Sequence, residues 1–169
     1  EATRTILFAK ALAYADQDTR KNFAYIDLET DYLVPSLQEA ALAFGTRIIR
    51  SYHNMTDMET NLCEKMQKMR LTGHEIPKIA CMPHSLSDVT KFFKEAREIK
   101  GFDHILCAMG KYGLPTRILS SHINSFLTYT SPVETIEKMR SIGHIDPVTL
   151  NEVYNFRAID EHTKLYGIT

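Results

Sequence analysis

Lys78 sits in the run Ile76-Pro77-Lys78-Ile79-Ala80-Cys81-Met82-Pro83, an apolar segment bounded by prolines and not a helix face. A lysine held in such a strand loses hydration, and lost hydration lowers its pKa. The neutral amine that results attacks ketones and gives an imine, which acts as an electron sink. The structural alternative is a strand-edge lysine whose head reaches water.

Other reactive side chains stand at the ends of neighbouring apolar runs. His53 closes RIIRSYH (47–53) just before a polar turn, where an imidazole can carry protons near neutral pH. Arg117 follows the loop GKYGLPT and could clamp a carboxylate through two parallel N–H bonds. Met109 ends DHILCAM (103–109). Asp27 and Glu29 alternate with apolar neighbours in FAYIDLE (23–29); they could orient a base, although a structural ion pair is the more ordinary role for such carboxylates. The Met58, Met66 and Met69 stripe reads as core packing.

These side chains need a scaffold that brings strand ends together, and the hydrophobic pattern supplies one. Short apolar runs at 23–29, 46–53, 76–83, 103–109 and 124–130 alternate with segments of helical periodicity. An Ala-rich helix over residues 2–20 precedes them, with Ile6, Leu7, Ala11, Leu12 and Tyr14 as its expected buried stripe. Pro35 opens a helix that Gly45 stops. Thr56 and Glu59 have capping-box spacing. Ser85 with Asp88, Ser131-Pro132 with Glu134, and Asp146-Pro147 mark later helix starts. Strands that are apolar throughout and separated by helices form a parallel sheet covered by helices. Five strands fit either an open doubly wound sheet or the second half of a (β/α)8 barrel; in both, side chains at the carboxyl ends of strands share one site.

The bulk composition removes several classes. With 44% apolar and 24% charged residues in 169, the chain can bury a core. A net charge of −1 gives no electrostatic footprint for nucleic acid or an anionic membrane. No apolar run approaches the ~20 residues of a membrane span. Cys63, Cys81 and Cys107 are odd in number and widely spaced, which favours reduced thiols in the cytoplasm; no CxxC or HxxxH pair suggests zinc.

Five of these segments, in this order, resemble motifs of the type I 3-dehydroquinate dehydratases. SYHNM (51–55) resembles that family's Ser-x-His-Asp, and IPKIACMP (76–83) is similar to its lysine signature nearly residue for residue. AMGKYGLPTR (108–117) resembles its Ser-Met-Gly-x-x-Gly-x-x-Ser-Arg, YIDLE (25–29) its Asp-Leu-Glu strand, and NSFLTY (124–129) its last strand. Asn54, Ala108 and Thr116 depart from the family residues. The family's closing segment, Ser-Ala-Pro-Gly-Gln, is poorly kept; SIGHIDP (141–147) sets Gly143 and His144 against its Gly-Gln.

The resemblance implies a partial α/β (β/α)8 TIM barrel over residues 1–153, with about five parallel strands of the second half present. It implies dehydration of 3-dehydroquinate to 3-dehydroshikimate, a step of the shikimate pathway of aromatic amino acid biosynthesis. Lys78 would form the Schiff base and His53 would be the general acid and base. Arg117, Met109, Asp27, Glu29 and His144 would contact or order the substrate. No metal or organic cofactor is implied, the lysine itself being the electron sink; a homodimer and a cytoplasmic location (plastid for a plant-like source) are compatible with it. The tail VYNFRAIDEHTKLYGIT resembles the junction of bifunctional dehydroquinate dehydratase–shikimate dehydrogenase chains, so residues 154–169 read as a linker and the start of a second domain. The altered closing segment leaves a scaffold without catalysis as a second reading, and a class I aldolase as a more remote one.

Overall fold

A computed structural model describes residues 2–14 and 18–164. Four strands, β1 (Tyr25–Glu29), β2 (Arg47–Asn54), β3 (Ile76–Cys81) and β4 (Ile105–Ala108), form one parallel sheet in sequence order. Helices α2 (Pro35–Ala43), α3 (Leu62–Met69) and α4 (Leu86–Arg97) connect consecutive strands. The α/β fold with alternating parallel strands is the one expected, as part of a TIM barrel.

The register sorts the sheet's two faces. Pairing Leu28 with Arg50, Tyr52 with Ile79, and Cys81 with Ala108 turns those side chains towards the helices. There Leu62, Met66, Met69, Phe92, Ala96 and Ile99 pack on Ile79, Cys81 and Leu106. Leu12, Leu37 and Ala41 pack on Ile26, Leu28 and Ile48. Each fully buried aliphatic side chain stabilises by roughly 1.5–3 kcal/mol, so this outer layer carries most of the fold. The opposite, concave face alternates polar with apolar: Glu29, Ser51, Lys78 and Ile105 lie side by side across four strands. Below them Ile49, Ile76 and Ile105 form a small cluster with Leu127 and Tyr129.

Several local expectations hold. The Ser85 hydroxyl accepts the Asp88 N–H at 3.2 Å and starts α4. Asp146 accepts the Thr149 N–H at 2.8 Å at the head of α7 (Pro147–Glu152). Pro35 stands at the first turn of α2.

Others are corrected. Helix α1 (Ala2–Ala13) is shorter than expected, and its buried side is not the expected stripe: Leu12 is buried and Phe8 packs beside it, while Ile6, Leu7 and Tyr14 are exposed. Thr5, Phe8 and Leu12 share a helix face, and Tyr32 receives it, with its hydroxyl 2.6 Å from the Thr5 hydroxyl. The Thr56–Glu59 box does not cap a helix, since α3 starts at Leu62. The Thr56 hydroxyl instead donates to Asn54 at 3.0 Å, and Glu59 accepts from Asn54 and pairs with Lys65.

The segment at 124–130 makes only one bridge, Ser125 to His104, and is not a fifth strand. The Ser125 hydroxyl accepts the Leu106 N–H at 3.1 Å, taking a donor that a strand's carbonyl would need. Residues 133–142 form short 3-10 and α turns, including α6 (Ile136–Met139), where one capped helix was expected. Ser131 is not a cap there, because its hydroxyl is engaged by His144.

Candidate functional site

A cavity of about 280 Å³ opens on the concave face, lined by His53, Lys78, Met109, Arg117 and His144. Met55, Ala80, Cys107, Tyr129 and Ile142 complete its wall. Strand β2 supplies His53, β3 supplies Lys78, and the turn after β4 supplies Met109. Helix α5 (Leu114–Ile118) supplies Arg117. Three segments far apart in sequence thus bring an amine, an imidazole and a guanidinium to one volume, and the parallel register makes this possible.

Lys78 is 8% exposed. Its ammonium donates to Asp27 Oδ2 at 2.8 Å and lies 4.7 Å from the centroid of the Tyr129 ring. The expectation of a lowered pKa is overturned. Burial does pull it down, but the hydrogen bond and the charge of Asp27 outweigh burial, so the pKa is raised above the ordinary lysine value. Lys78 therefore rests as an ammonium, and it becomes a nucleophile only on shedding a proton.

Removing the Asp27 charge reverses that balance. Asp27→Asn takes away the two largest effects that raise the pKa while burial remains, so the Lys78 pKa falls. Because the neutral amine is the form that reacts, the pH midpoint for reductive methylation of Lys78 (formaldehyde with borohydride, read on the peptide mass) moves down. A midpoint that stays in place or rises would remove Asp27 from this role.

His53 is exposed, and among the described residues its ring has no hydrogen-bond partner. Burial of its inner edge, then the Lys78 charge, lowers its pKa, with Asp27 opposing, so the neutral imidazole prevails at physiological pH. Arg117 is 2% exposed. Its Nε donates to the Gly143 carbonyl at 2.8 Å and its Nη1 to the Tyr129 carbonyl at 3.4 Å. Burial lowers its pKa. Among the described residues no carboxylate pairs with it. A buried guanidinium held by carbonyls alone leaves a full charge for an anion in the cavity to meet.

The turn that carries Arg117 is fixed by its own backbone. Thr116 Oγ1 accepts the Ala108 N–H at 2.9 Å and donates to the Gly113 carbonyl at 2.7 Å. Against this turn lies the segment 141–144. Its Gly143 has φ +81, and a Cβ there would come within 2.6 Å of the Gly110 carbonyl oxygen. His144 enters the cavity wall with Nδ1 hydrogen-bonded to Ser131 Oγ at 2.6 Å; burial, and then Arg117, lowers its pKa.

Asp27 reaches the site through Lys78. Glu29 does not line the cavity, and its carboxylate is engaged by Arg4 of α1. The sequence assigns Tyr129, Cys107 and Ser131 no part in the site. The alternation of Leu127 and Tyr129 in an extended run was the available signal for Tyr129; Ser131 had been assigned to a helix start.

A family model described as "Type I 3-dehydroquinase" matches residues 8–161. The chain is 36% identical over 97 residues to a 3-dehydroquinate dehydratase of Methanosarcina acetivorans, covering 55% of this chain and 40% of that one. It is 28% identical over 166 residues to the bifunctional 3-dehydroquinate dehydratase/shikimate dehydrogenase, chloroplastic, of Arabidopsis thaliana, covering 90% of this chain and 27% of the relative. The chain thus spans less than half the length of these two relatives. Among solved structures, the 3-dehydroquinate dehydratase of Aquifex aeolicus superposes with a TM-score of 0.68 at 25% identity, covering 98% of this chain and 68% of that one.

Proposed function

We propose that this chain, which belongs to the type I 3-dehydroquinase family, dehydrates 3-dehydroquinate to 3-dehydroshikimate through an imine on Lys78. The observation that carries the proposal is the meeting of Lys78, His53 and Arg117 in one cavity at the strand ends. A ketone beside a carboxylate is the substrate class that such a set accepts.

The Arg117 guanidinium, buried and without a carboxylate, takes the substrate carboxylate and sets the ring in place. Lys78, once neutral, adds to the C3 carbonyl and water leaves, giving the iminium. That cation acidifies the proton at C2. His53 is neutral at physiological pH and takes this proton. The electron pair moves into the ring, and the C1 hydroxyl departs as water with the proton that His53 returns. Hydrolysis of the product imine frees Lys78, so the net change is loss of one water. Met109 and Ile142 shield the face of the ring, and His144, held by Ser131, meets a substrate hydroxyl. Asp27 sets the proton affinity of Lys78, and Glu29 orders β1 through its pair with Arg4.

Residues 154–169 we read as a linker and the start of a shikimate dehydrogenase-like domain, a reading supported by the bifunctional name of the Arabidopsis relative. Among the described residues no helix is long and apolar enough to cross a membrane; a cytoplasmic location is part of the proposal.

Borohydride reduction in the presence of 3-dehydroquinate or 3-dehydroshikimate tests the imine directly. The expected result is a stable adduct mass on the peptide that carries Lys78. No adduct, with no rise in dehydroshikimate absorbance from the protein containing this chain, overturns the catalytic reading and leaves a scaffold.

A further inference from the structure

Tyr129 grips the concave cavity twice, once through its main chain and once through its ring. Its carbonyl accepts Arg117 Nη1 at 3.4 Å, and its ring lies with the centroid 4.7 Å from the Lys78 ammonium. The ring is held from below. Leu127 and Tyr129 pack against Ile49, Ile76 and Ile105, one isoleucine from each of β2, β3 and β4. This apolar floor sets an aromatic face towards a cation that is nearly closed off from water, Lys78 being buried. The quadrupole of such a face attracts a cation within about 6 Å, and more strongly where water is excluded.

That face matters most after the amine has reacted. Condensation of the neutral Lys78 amine with a ketone releases one water and gives an imine, which carries no charge until its nitrogen takes up a proton. Only the protonated form, the iminium, draws electrons from the neighbouring carbon. An imine nitrogen is a far weaker base than an amine, so the site must hold that proton by its own electrostatics. Asp27 does so through an N–H, as it does for the ammonium at 2.8 Å. An ammonium has three N–H donors and an iminium only one, so the share carried by hydrogen bonds shrinks at this step. A π face needs no N–H, and it suits a flat cation whose charge is spread over nitrogen and carbon.

We infer that the ring of Tyr129 is a further catalytic residue, a π seat that keeps the Lys78 nitrogen positively charged, first as ammonium and then as iminium. The iminium half rests on the imine reading above; the ammonium half does not. The role belongs to the ring and not to the hydroxyl. Asp27, His53 and Cys107 are the other titratable groups coupled to the Lys78 charge, and Arg117 stands in the same cavity. All four stay unchanged when only the ring at 129 is altered.

Replacing Tyr129 by phenylalanine, and then by its 4-fluoro, 3,5-difluoro and 3,4,5-trifluoro analogues, drains the π face step by step at nearly constant shape. The series is made in the full protein that contains this chain, and members that unfold at the temperature of the phenylalanine form are compared. Two readouts are taken. Reductive methylation gives the pH midpoint of the Lys78 amine with no substrate present. Cyanoborohydride, which reduces the iminium and not the neutral imine, gives the yield of adduct with 3-dehydroshikimate as pH rises. The methylation midpoint moves to lower pH along the fluorine series. On the falling limb the trifluoro form gives at least about threefold less adduct than the phenylalanine form, as a weakened cation–π contact requires. A midpoint and a yield that ignore the fluorine series overturn the assignment. So does a drop from tyrosine to phenylalanine larger than that along the whole series, which would place the effect on the hydroxyl. A midpoint that falls along the series, with no adduct in any member, upholds the ring's hold on the ammonium and overturns the dehydratase reading instead.

Discussion

Lys78→Met is expected to lower dehydration of 3-dehydroquinate by on the order of 10⁴-fold or more, the scale seen when a covalent nucleophile is removed. Methionine keeps the length and the apolar contacts but cannot form an imine. The fold is expected to survive. Lys78 is nearly covered, but its partner Asp27 keeps 37% of its side chain exposed, so the orphaned carboxylate can be solvated. Removing one member of a fully buried pair would be far more damaging. The stability change is accordingly small, about 1–2 kcal/mol. Turnover followed by dehydroshikimate absorbance, together with thermal unfolding of the same sample, separates the two effects. Residual turnover within tenfold of the unsubstituted protein would show that Lys78 is not the nucleophile.

The second large effect falls on stability. Gly113→Ala would set a Cβ 2.2 Å from the carbonyl oxygen of Ala108 and 2.6 Å from that of Met109. The backbone at Gly113 has φ −77, which any residue adopts, so the clash alone is at issue. Neither side can yield cheaply. Ala108 is the last residue of β4 and its N–H is tied to Thr116; Gly113 holds the Thr116 hydroxyl through its carbonyl. We expect a loss of roughly 3–5 kcal/mol in urea unfolding, at the upper end for single substitutions. Gly101→Ala is the control: open space surrounds it, and only its φ of +89 penalises a side chain, by about 1–2 kcal/mol. A Gly113 variant no weaker than this control would mean that the turn relaxes freely.

The two cases also show what a sequence tells and what it hides. Four strands are legible because their helix-facing residues are buried and β3 and β4 are buried throughout, which gives short apolar runs of the right length. Lys78 and His53 stand out because each interrupts or ends such a run, and Arg117 because it follows a loop that contains glycines and a proline. The protonation of Lys78 was not legible: the residue that decides it, Asp27, lies 51 positions away, and hydropathy around Lys78 reports burial but not the partner that opposes it. The 124–130 segment has the composition of a strand, yet one hydroxyl at Ser125 takes up the Leu106 N–H. Thr56 and Glu59 have the spacing of a cap, but Asn54 competes for the Thr56 hydroxyl and for Glu59. In each miss a polar side chain met a partner that no local pattern encodes. Arg117 is marked in the sequence by its loop and its motif; Arg50, with similar burial, has no motif to mark it.

The seating of residues 141–144 separates where the loop sits from what it says chemically. Two of its anchors are main-chain ones, the Gly143 carbonyl on Arg117 and the bare approach of Gly143 to Gly110, and a third is the hydrogen bond between the His144 ring and Ser131. Ile142 and His144 meanwhile present side chains to the cavity. The loop is therefore an interchangeable reading head on a fixed mount. Exchanges at 142, whose side chain lines the cavity and carries none of these anchors, can redraw the shape of the cavity without disturbing how the loop is held.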